Sequence, residues 1–129
     1  MASIKQAHPR CKTIGQDAHP GMVAYARARV DEVHHADARE PGVADESVDL
    51  LVVRFLVWAT VTRADARALF DRLVRTVKSG GKILLCGHTP VLLSTLDFAE
   101  HALTVERCIA VDDETQSFCQ LYALSRAGR

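Results

Sequence analysis

The stretch VHHADAREPGVADESVDLLVVR, from Val33 to Arg54, decides the fold. It enters through a short apolar approach ending in Ala36-Asp37-Ala38, crosses a turn-rich polar loop, and closes on Val48-Asp49-Leu50-Leu51-Val52-Val53. An almost uninterrupted apolar run, with a polar loop before it and the charged Arg54 after it, suits a strand buried on both faces of a parallel sheet. Ligands of open α/β sheets sit beyond the carboxyl ends of the strands. Asp37 and Arg54 each stand at such an end, so one wall of any site is expected there.

The chain has 129 residues, enough for one real core, and residues 1–129 read as a single domain without internal repeat, low-complexity tract or linker. Hydrophobic residues make up 48% and charged residues 25%, an ordinary globular composition. Lys plus Arg and Asp plus Glu balance at 16 each, which leaves no basic field to attract nucleic acid or an anionic membrane. No apolar run approaches the ~20 residues that cross a bilayer, and the opening MASIKQAHPR lacks the apolar centre of a secretory signal. The four cysteines, Cys11, Cys86, Cys108 and Cys119, show no paired spacing. They read as buried, reduced thiols of a cytoplasmic protein.

Outward from the central stretch, Ala2 to His8 forms the tail of a helix stopped by Pro9. Cys11 to Gln16 is a short strand ending at Asp17, after which His19-Pro20 opens a helix, proline suiting the first helical position. Met22, Ala26 and Val30 recur every four residues and give that helix one apolar face. Val33 to His35 is the next strand, and Glu40 to Ser47, with Pro41 and Gly42, is a surface loop. Thr62 and Asp65 resemble a capping box ahead of a helix whose apolar side is Leu69, Phe70, Leu73, Val74 and Val77. Ser79-Gly80-Gly81 ends that helix with a positive-φ glycine cap, Lys82 to Gly87 is a further buried strand, and Val91 to Ala102 is helical. Leu103 to Val111 and Phe118 to Leu124 flank a polar connection as an antiparallel hairpin, with Asp112-Asp113-Glu114 a solvated turn. Strands alternating with helices before a terminal hairpin predict an α/β three-layer sandwich with a mostly parallel sheet.

The order of these pieces resembles the class I S-adenosylmethionine-dependent methyltransferases over nearly the whole chain. TIGQDAHPGMVAYARA resembles the family's second strand, whose terminal acid takes the cofactor's ribose hydroxyls, with the helix that follows and its small-residue Met…Ala face. HHADAREPGVADESVDLLVVRF resembles the third strand, its Asp-Ala adenine contact and the lead into the fourth strand. LFDRLVRTVKSGGKILLCG resembles the helix, Lys-x-Gly-Gly turn and fifth strand, and the hairpin resembles strands six and seven. The resemblance implies a Rossmann-like fold and S-adenosylmethionine as cofactor, bound by Asp17, Ala18, Met22, Asp37, Ala38, Arg54 and Phe55. Asp17 would take the ribose, Asp37 with Ala38 the adenine, and Arg54 with Phe55 the methionine part or the substrate. Plainer roles stand beside these. Asp17 would cap the following helix, Asp37 would be a solvated loop acid, and Arg54 would lay its stem on apolar surface. Trp58, the only tryptophan, reads as core packing rather than pocket wall.

The pattern departs from the family at its opening. The family begins with a strand running into acid-x-Gly-x-Gly-x-Gly, where the backbone must approach the ligand more closely than a Cβ allows. None of the seven glycines stands in that spacing near the N-terminus, and residues 1–7 resemble the helix that follows the loop. The domain is therefore expected to be N-terminally truncated and to lack the strand that belongs between the second and the fourth. Such a gap leaves backbone groups unpaired. Either the neighbouring strands pair directly, or a second copy covers the gap, or the chain is a fragment; a homodimer is the expectation.

The activity expected is methyl transfer to a small molecule. After the fourth strand come Arg54-Phe55-Leu56-Val57, not the Asn/Asp-Pro-Pro-Tyr/Phe of nucleic-acid amino methylases, and no Pro-Cys dipeptide offers a cytosine nucleophile. Catalysis would rest on proximity and alignment. No general base is assignable, and His88 and Arg54 are the residues placed nearest the reaction. The rival expectation is a relative that has lost its glycine loop and become a binding or subunit module, or a cofactor-independent small-molecule enzyme. No metal is expected, since His34 and His35 point to opposite faces of a strand and Cys86 with His88 supplies only two ligands. A Cys-His nucleophile pair lacks a third, orienting group.

Overall fold

Pro9 closes the first helix: α1 spans Ala2–Ala7 in a computed structural model that describes residues 2–55, 62–88, 92–112 and 118–128. The chain divides into two units, Met1–Gly42 and Val43–Arg129. In the first, β1 (Ile14–Asp17) and β2 (Glu32–His35) pair in parallel with Ile14 opposite Glu32 and Asp17 opposite His35. Helix α2 (Pro20–Arg27) connects them.

Two features of this unit differ from expectation. Strand β1 begins at Ile14 rather than Cys11, because the backbone just before it is already engaged by Asp31. The Asp31 Oδ2 accepts the Thr13 N–H (2.8 Å) and hydroxyl (2.9 Å), and the Thr13 carbonyl accepts the amides of Asp31 and Glu32 (3.1 Å each). Helix α2 opens as expected, with His19 as N-cap and Pro20 in the first turn, but its apolar face is rotated. Val23 is buried and Met22 is 50% exposed. The inward line is Val23 and Ala26 of the helix with Val30 of the turn that follows it. Gly15 lets it approach β1, since a Cβ there would lie 3.5 Å from Val30 Cγ2 and 3.9 Å from Ala26 Cβ.

The second unit holds a four-stranded sheet in the order β3-β4-β6-β5, formed by β3 (Val48–Phe55), β4 (Val77–His88), β5 (Leu103–Asp112) and β6 (Phe118–Arg126). β3 and β4 are parallel, while β6 runs antiparallel to both β4 and β5. The terminal hairpin is as expected. Helix α3 (Arg63–Val74) starts on the expected Thr62/Asp65 capping box, and a second box, Ser94 with Asp97, starts α4 (Thr95–Glu100). Phe70 of α3 and Phe98 of α4 meet edge to face at 5.8 Å, and Phe98 meets Tyr122 of β6 at 5.3 Å. Around them Ala66, Val74, Val77, Ile83, Leu85 and Leu124 are buried.

Three expectations are corrected here. Strand β3 is covered on one face only: Val53 is buried and Leu51 packs on the core, while Leu50 and Val52 are each 37% exposed. The cause is topological. β3 is the end strand of its sheet, and alternate side chains of a strand point to opposite faces. It also runs on through Arg54 and Phe55, so Arg54 lies within the strand, opposite Cys86. Helix α3 ends at Val74 without a glycine cap. Thr76 satisfies its last turn instead, the amide (3.0 Å) and hydroxyl (2.7 Å) both donating to the Leu73 carbonyl. The positive φ of Gly80, +78°, belongs to an irregularity in β4, where Val77 pairs with Val48 and Lys82 already pairs with Leu50. Helix α4 is shorter than residues 91–102; position 91 lies outside the described residues. So do Trp58, Leu56-Val57 and Asp113-Glu114. Among the described residues no helix is long and apolar enough to cross a membrane.

Candidate functional site

Parallel pairing brings the carboxyl ends of β1 and β2 to the same edge of the first unit, and the chain leaves them through Asp17-Ala18-His19 and Ala36-Asp37-Ala38. The Ala36 N–H donates to the Asp17 carbonyl (3.2 Å), extending the ladder one step beyond the strands. The Asp17 Oδ1 accepts the His19 N–H (2.7 Å), and His19 Nδ1 accepts the Gly21 N–H (3.1 Å) as the helix cap. Asp17 therefore braces the cap instead of being it. His35 Nε2–H donates to the Ala18 carbonyl (3.1 Å), which ties the two exits together.

Asp37 begins a tight turn. Its carbonyl accepts the Glu40 N–H (3.0 Å). Its carboxylate takes three bonds from Arg39: Oδ1 from the amide (2.9 Å) and from Nε (3.0 Å), and Oδ2 from Nη2 (2.8 Å). The Arg39 side chain, and after it the Arg39 amide, hold the Asp37 carboxyl down at about 2. A carboxylate has about four acceptor directions, so one remains on Oδ2. Asp17 likewise uses one oxygen on the loop, and its Oδ2 makes no hydrogen bond among the described residues. The edge thus carries two anchored carboxylates, each with acceptor capacity to spare, beside two alanines that leave room for a ligand.

Asp17, Ala18, Asp37 and Ala38 come together as expected. Met22 sits in the first turn of α2 with its side chain half exposed. Arg54 and Phe55 belong to the second unit, at the carboxyl end of β3; Arg54 is exposed, and the Phe55 side chain lies outside the described residues. The His88 side chain is outside them as well. His34 and His35 do diverge, His34 Nε2 lying 2.7 Å from Glu32 Oε1. Lys12 and then His34 lower the Glu32 pKa. Among the described residues no three His, Cys, Asp or Glu converge as a metal would require. Among the described residues Cys11, Cys86 and Cys108 form no disulfide, and Cys11 and Cys108 are exposed, which corrects the expectation of buried cysteines. Cys11 precedes the first ladder, and Cys108 lies on β5, an end strand of its sheet.

Two residues escaped the reading from sequence. Gln16 bonds the loop that carries Asp37: Nε2 donates to the carbonyls of Asp37 (2.8 Å) and Glu40 (3.1 Å), and Oε1 accepts the Gly42 N–H (2.8 Å). The available signal was an amide inside a four-residue strand, between a glycine and an acid. Asp97, in the second unit, is a buried acid receiving Ser94 N–H (2.6 Å), Ser94 hydroxyl (2.7 Å) and Arg67 Nε (2.7 Å). Its signal, Ser94-x-x-Asp97, is the same spacing as Thr62-x-x-Asp65.

A family model described as a methyltransferase domain matches residues 1–81. Isonocardicin synthase of Nocardia uniformis subsp. tsuyamanensis is 39% identical over 95 residues, which is 74% of this chain and 32% of that protein. The chain thus spans about a third of the length of the curated relative it matches. Among solved structures, the N-methyltransferase NodS from Bradyrhizobium japonicum WM9, in complex with S-adenosyl-l-homocysteine, superposes with a TM-score of 0.74 at 18% identity, over 95% of this chain and 70% of that one. Magnesium protoporphyrin IX methyltransferase (ChlM) from Synechocystis PCC 6803, with bound SAM, superposes with a TM-score of 0.75 at 14% identity, over 97% and 64%. At those identities the likeness is one of fold, Rossmann-like and α/β.

Proposed function

The chain belongs to the methyltransferase domain family, the class I S-adenosylmethionine-dependent enzymes, and from that premise we propose that it binds S-adenosylmethionine at the β1–β2 edge and methylates a small molecule. The observation that carries this is the pair of anchored carboxylates, Asp17 and Asp37, at neighbouring carboxyl ends of parallel strands. They fit the nucleoside half of the cofactor. Asp17 Oδ2 accepts from the ribose hydroxyls, the remaining direction of Asp37 Oδ2 accepts from the adenine amine, and Ala18 and Ala38 give the rings space. Met22 borders this end from α2, while Arg54 and Phe55 serve the methionine part or the acceptor. When bound, S-adenosylmethionine supplies an electrophilic methyl group, and the chain's task is alignment of the acceptor with it.

The balanced charge favours a small-molecule acceptor over nucleic acid. We take residues 1–129 as one methyltransferase-like domain working in the cytoplasm as a homodimer, a second copy covering the strand edges left open. The rival reading is a repurposed fold that no longer uses the cofactor. Titration calorimetry with S-adenosylmethionine and S-adenosylhomocysteine separates the two. Micromolar affinity, lost in Asp17→Ala and largely lost in Asp17→Asn, is the expected result; the asparagine keeps an acceptor for the His19 amide and so controls for the loop. Absence of heat with either ligand would overturn the proposal and leave the rival.

A further inference from the structure

In β1 alternate side chains face opposite ways, so Gly15 and Asp17 share one side and Ile14 and Gln16 the other. Gln16 turns toward the loop that follows β2 and uses both ends of its amide there. Nε2 donates to the Asp37 and Glu40 carbonyls (2.8 and 3.1 Å), and Oε1 accepts from the Gly42 amide (2.8 Å). Those carbonyls bracket the Asp37–Glu40 turn, which is closed by its own Glu40 N–H bond to Asp37 and by the Arg39 amide on Asp37 Oδ1. The far end of the loop rests on β2. At Gly42 a Cβ would come within 2.7 Å of the His34 ring carbon Cγ, so the backbone there lies directly on the imidazole.

We infer that Gln16 is a positioning residue: it holds the Asp37–Ala38 turn in the one shape that leaves the spare Asp37 oxygen direction available to a ligand's exocyclic amine. The inference rests on the cofactor reading above. Without the amide, the Asp37 and Glu40 carbonyls turn to water and the Asp37–Arg39 pair moves with them, while Asp17 keeps its anchor on the His19 amide. Gln16 therefore acts on recognition of the base, and Asp17 on the ribose.

The test compares wild type, Gln16→Met and Gln16→Glu with two probes, S-adenosylhomocysteine and its inosine counterpart, whose base carries an oxo group in place of the amine. Amide hydrogen exchange at Gly42 is followed in the same samples without ligand. Wild type is expected to prefer the adenine probe. In Gln16→Met that preference narrows by about fivefold, the worth of one hydrogen bond, and Gly42 exchange accelerates while the Ala36 amide stays protected. Gln16→Glu keeps an acceptor for the Gly42 amide and so retains Gly42 protection, but when ionised it has no donor for the Asp37 and Glu40 carbonyls; its preference is narrowed as in Gln16→Met and recovers as acid protonates the new carboxyl and restores one donor. A variant that merely loosened the fold would weaken both probes alike and would not recover in acid, and that pattern overturns the inference. Unchanged Gly42 exchange in Gln16→Met also overturns it, whatever the probes do. Wild type binding neither probe removes the cofactor reading and the ligand role of Gln16 with it. Wild type binding both with a preference that Gln16→Met leaves intact removes only the inference.

Discussion

The Asp31 carboxylate accepts from Lys5 Nζ (2.9 Å) and from the amide and hydroxyl of Thr13, joining the N-terminal helix to the start of β1. Lys5 first, then the two Thr13 donors, lower its pKa from 3.8 to about 2. A carboxyl whose folded value is depressed stabilises the fold above its unfolded value and loses that contribution as pH falls through the folded one. For Asp31 the window runs from about 4 down to about 2. The thermal midpoint is therefore expected to drop across that range, and in Asp31→Asn to be lower at neutral pH with a shallower acid limb. An acid limb identical to wild type would refute the assignment. Asp97 shows the opposite balance. Burial pushes its pKa up, but the Ser94 amide and hydroxyl, with Arg67 and Arg63, outweigh that and leave it lowered. Of these two acids, only Asp97 had a legible motif. The partner of Asp31 lies 18 residues away at Thr13, and such pairing leaves no local pattern.

At the scale of elements, proline and capping residues marked helix starts correctly, because both act within one turn. Helix faces and glycine roles were harder. Met22 and Val23 are both apolar neighbours, and only tertiary packing selects Val23 as the inward one. The Ser79-Gly80-Gly81 run reads as a helix cap from sequence, yet it serves the irregular stretch of β4. At Gly81 a Cβ would meet Val77 Cγ1 at 2.7 Å, the Lys78 carbonyl at 2.9 Å and the Asp49 carbonyl at 3.1 Å. Backbone cannot yield as a side-chain tip does, so Gly81→Ala is expected to destabilise by about 1–3 kcal/mol in denaturant unfolding. Gly128→Ala, with nothing within 4 Å, is the neutral control. Equal midpoints for the two variants would show that β4 relaxes freely at this point.

For the whole molecule, the sheet expected to lack its central strand is seen as two sheets, β1-β2 and β3-β4-β6-β5. Among the described residues no ladder joins them. Among the described residues β3 pairs with β4 alone, and Leu50 and Val52 are exposed on its less covered face; apolar strands at the end of a sheet invite pairing with another chain. Sedimentation at micromolar concentration is expected to show a homodimer, and Val52→Lys to shift it to monomer with circular dichroism unchanged. A wild-type monomer throughout the range would eliminate the dimer. The order of elements, the terminal hairpin and the capping box at Thr62 were determined by the sequence alone, since periodicity, proline and capping residues are local signals. That Gln16 holds the Asp37 turn, only the tertiary structure decided. Those bonds join residues 21 to 26 positions apart in the chain, and nothing local in a sequence records which distant backbone group a side chain will reach.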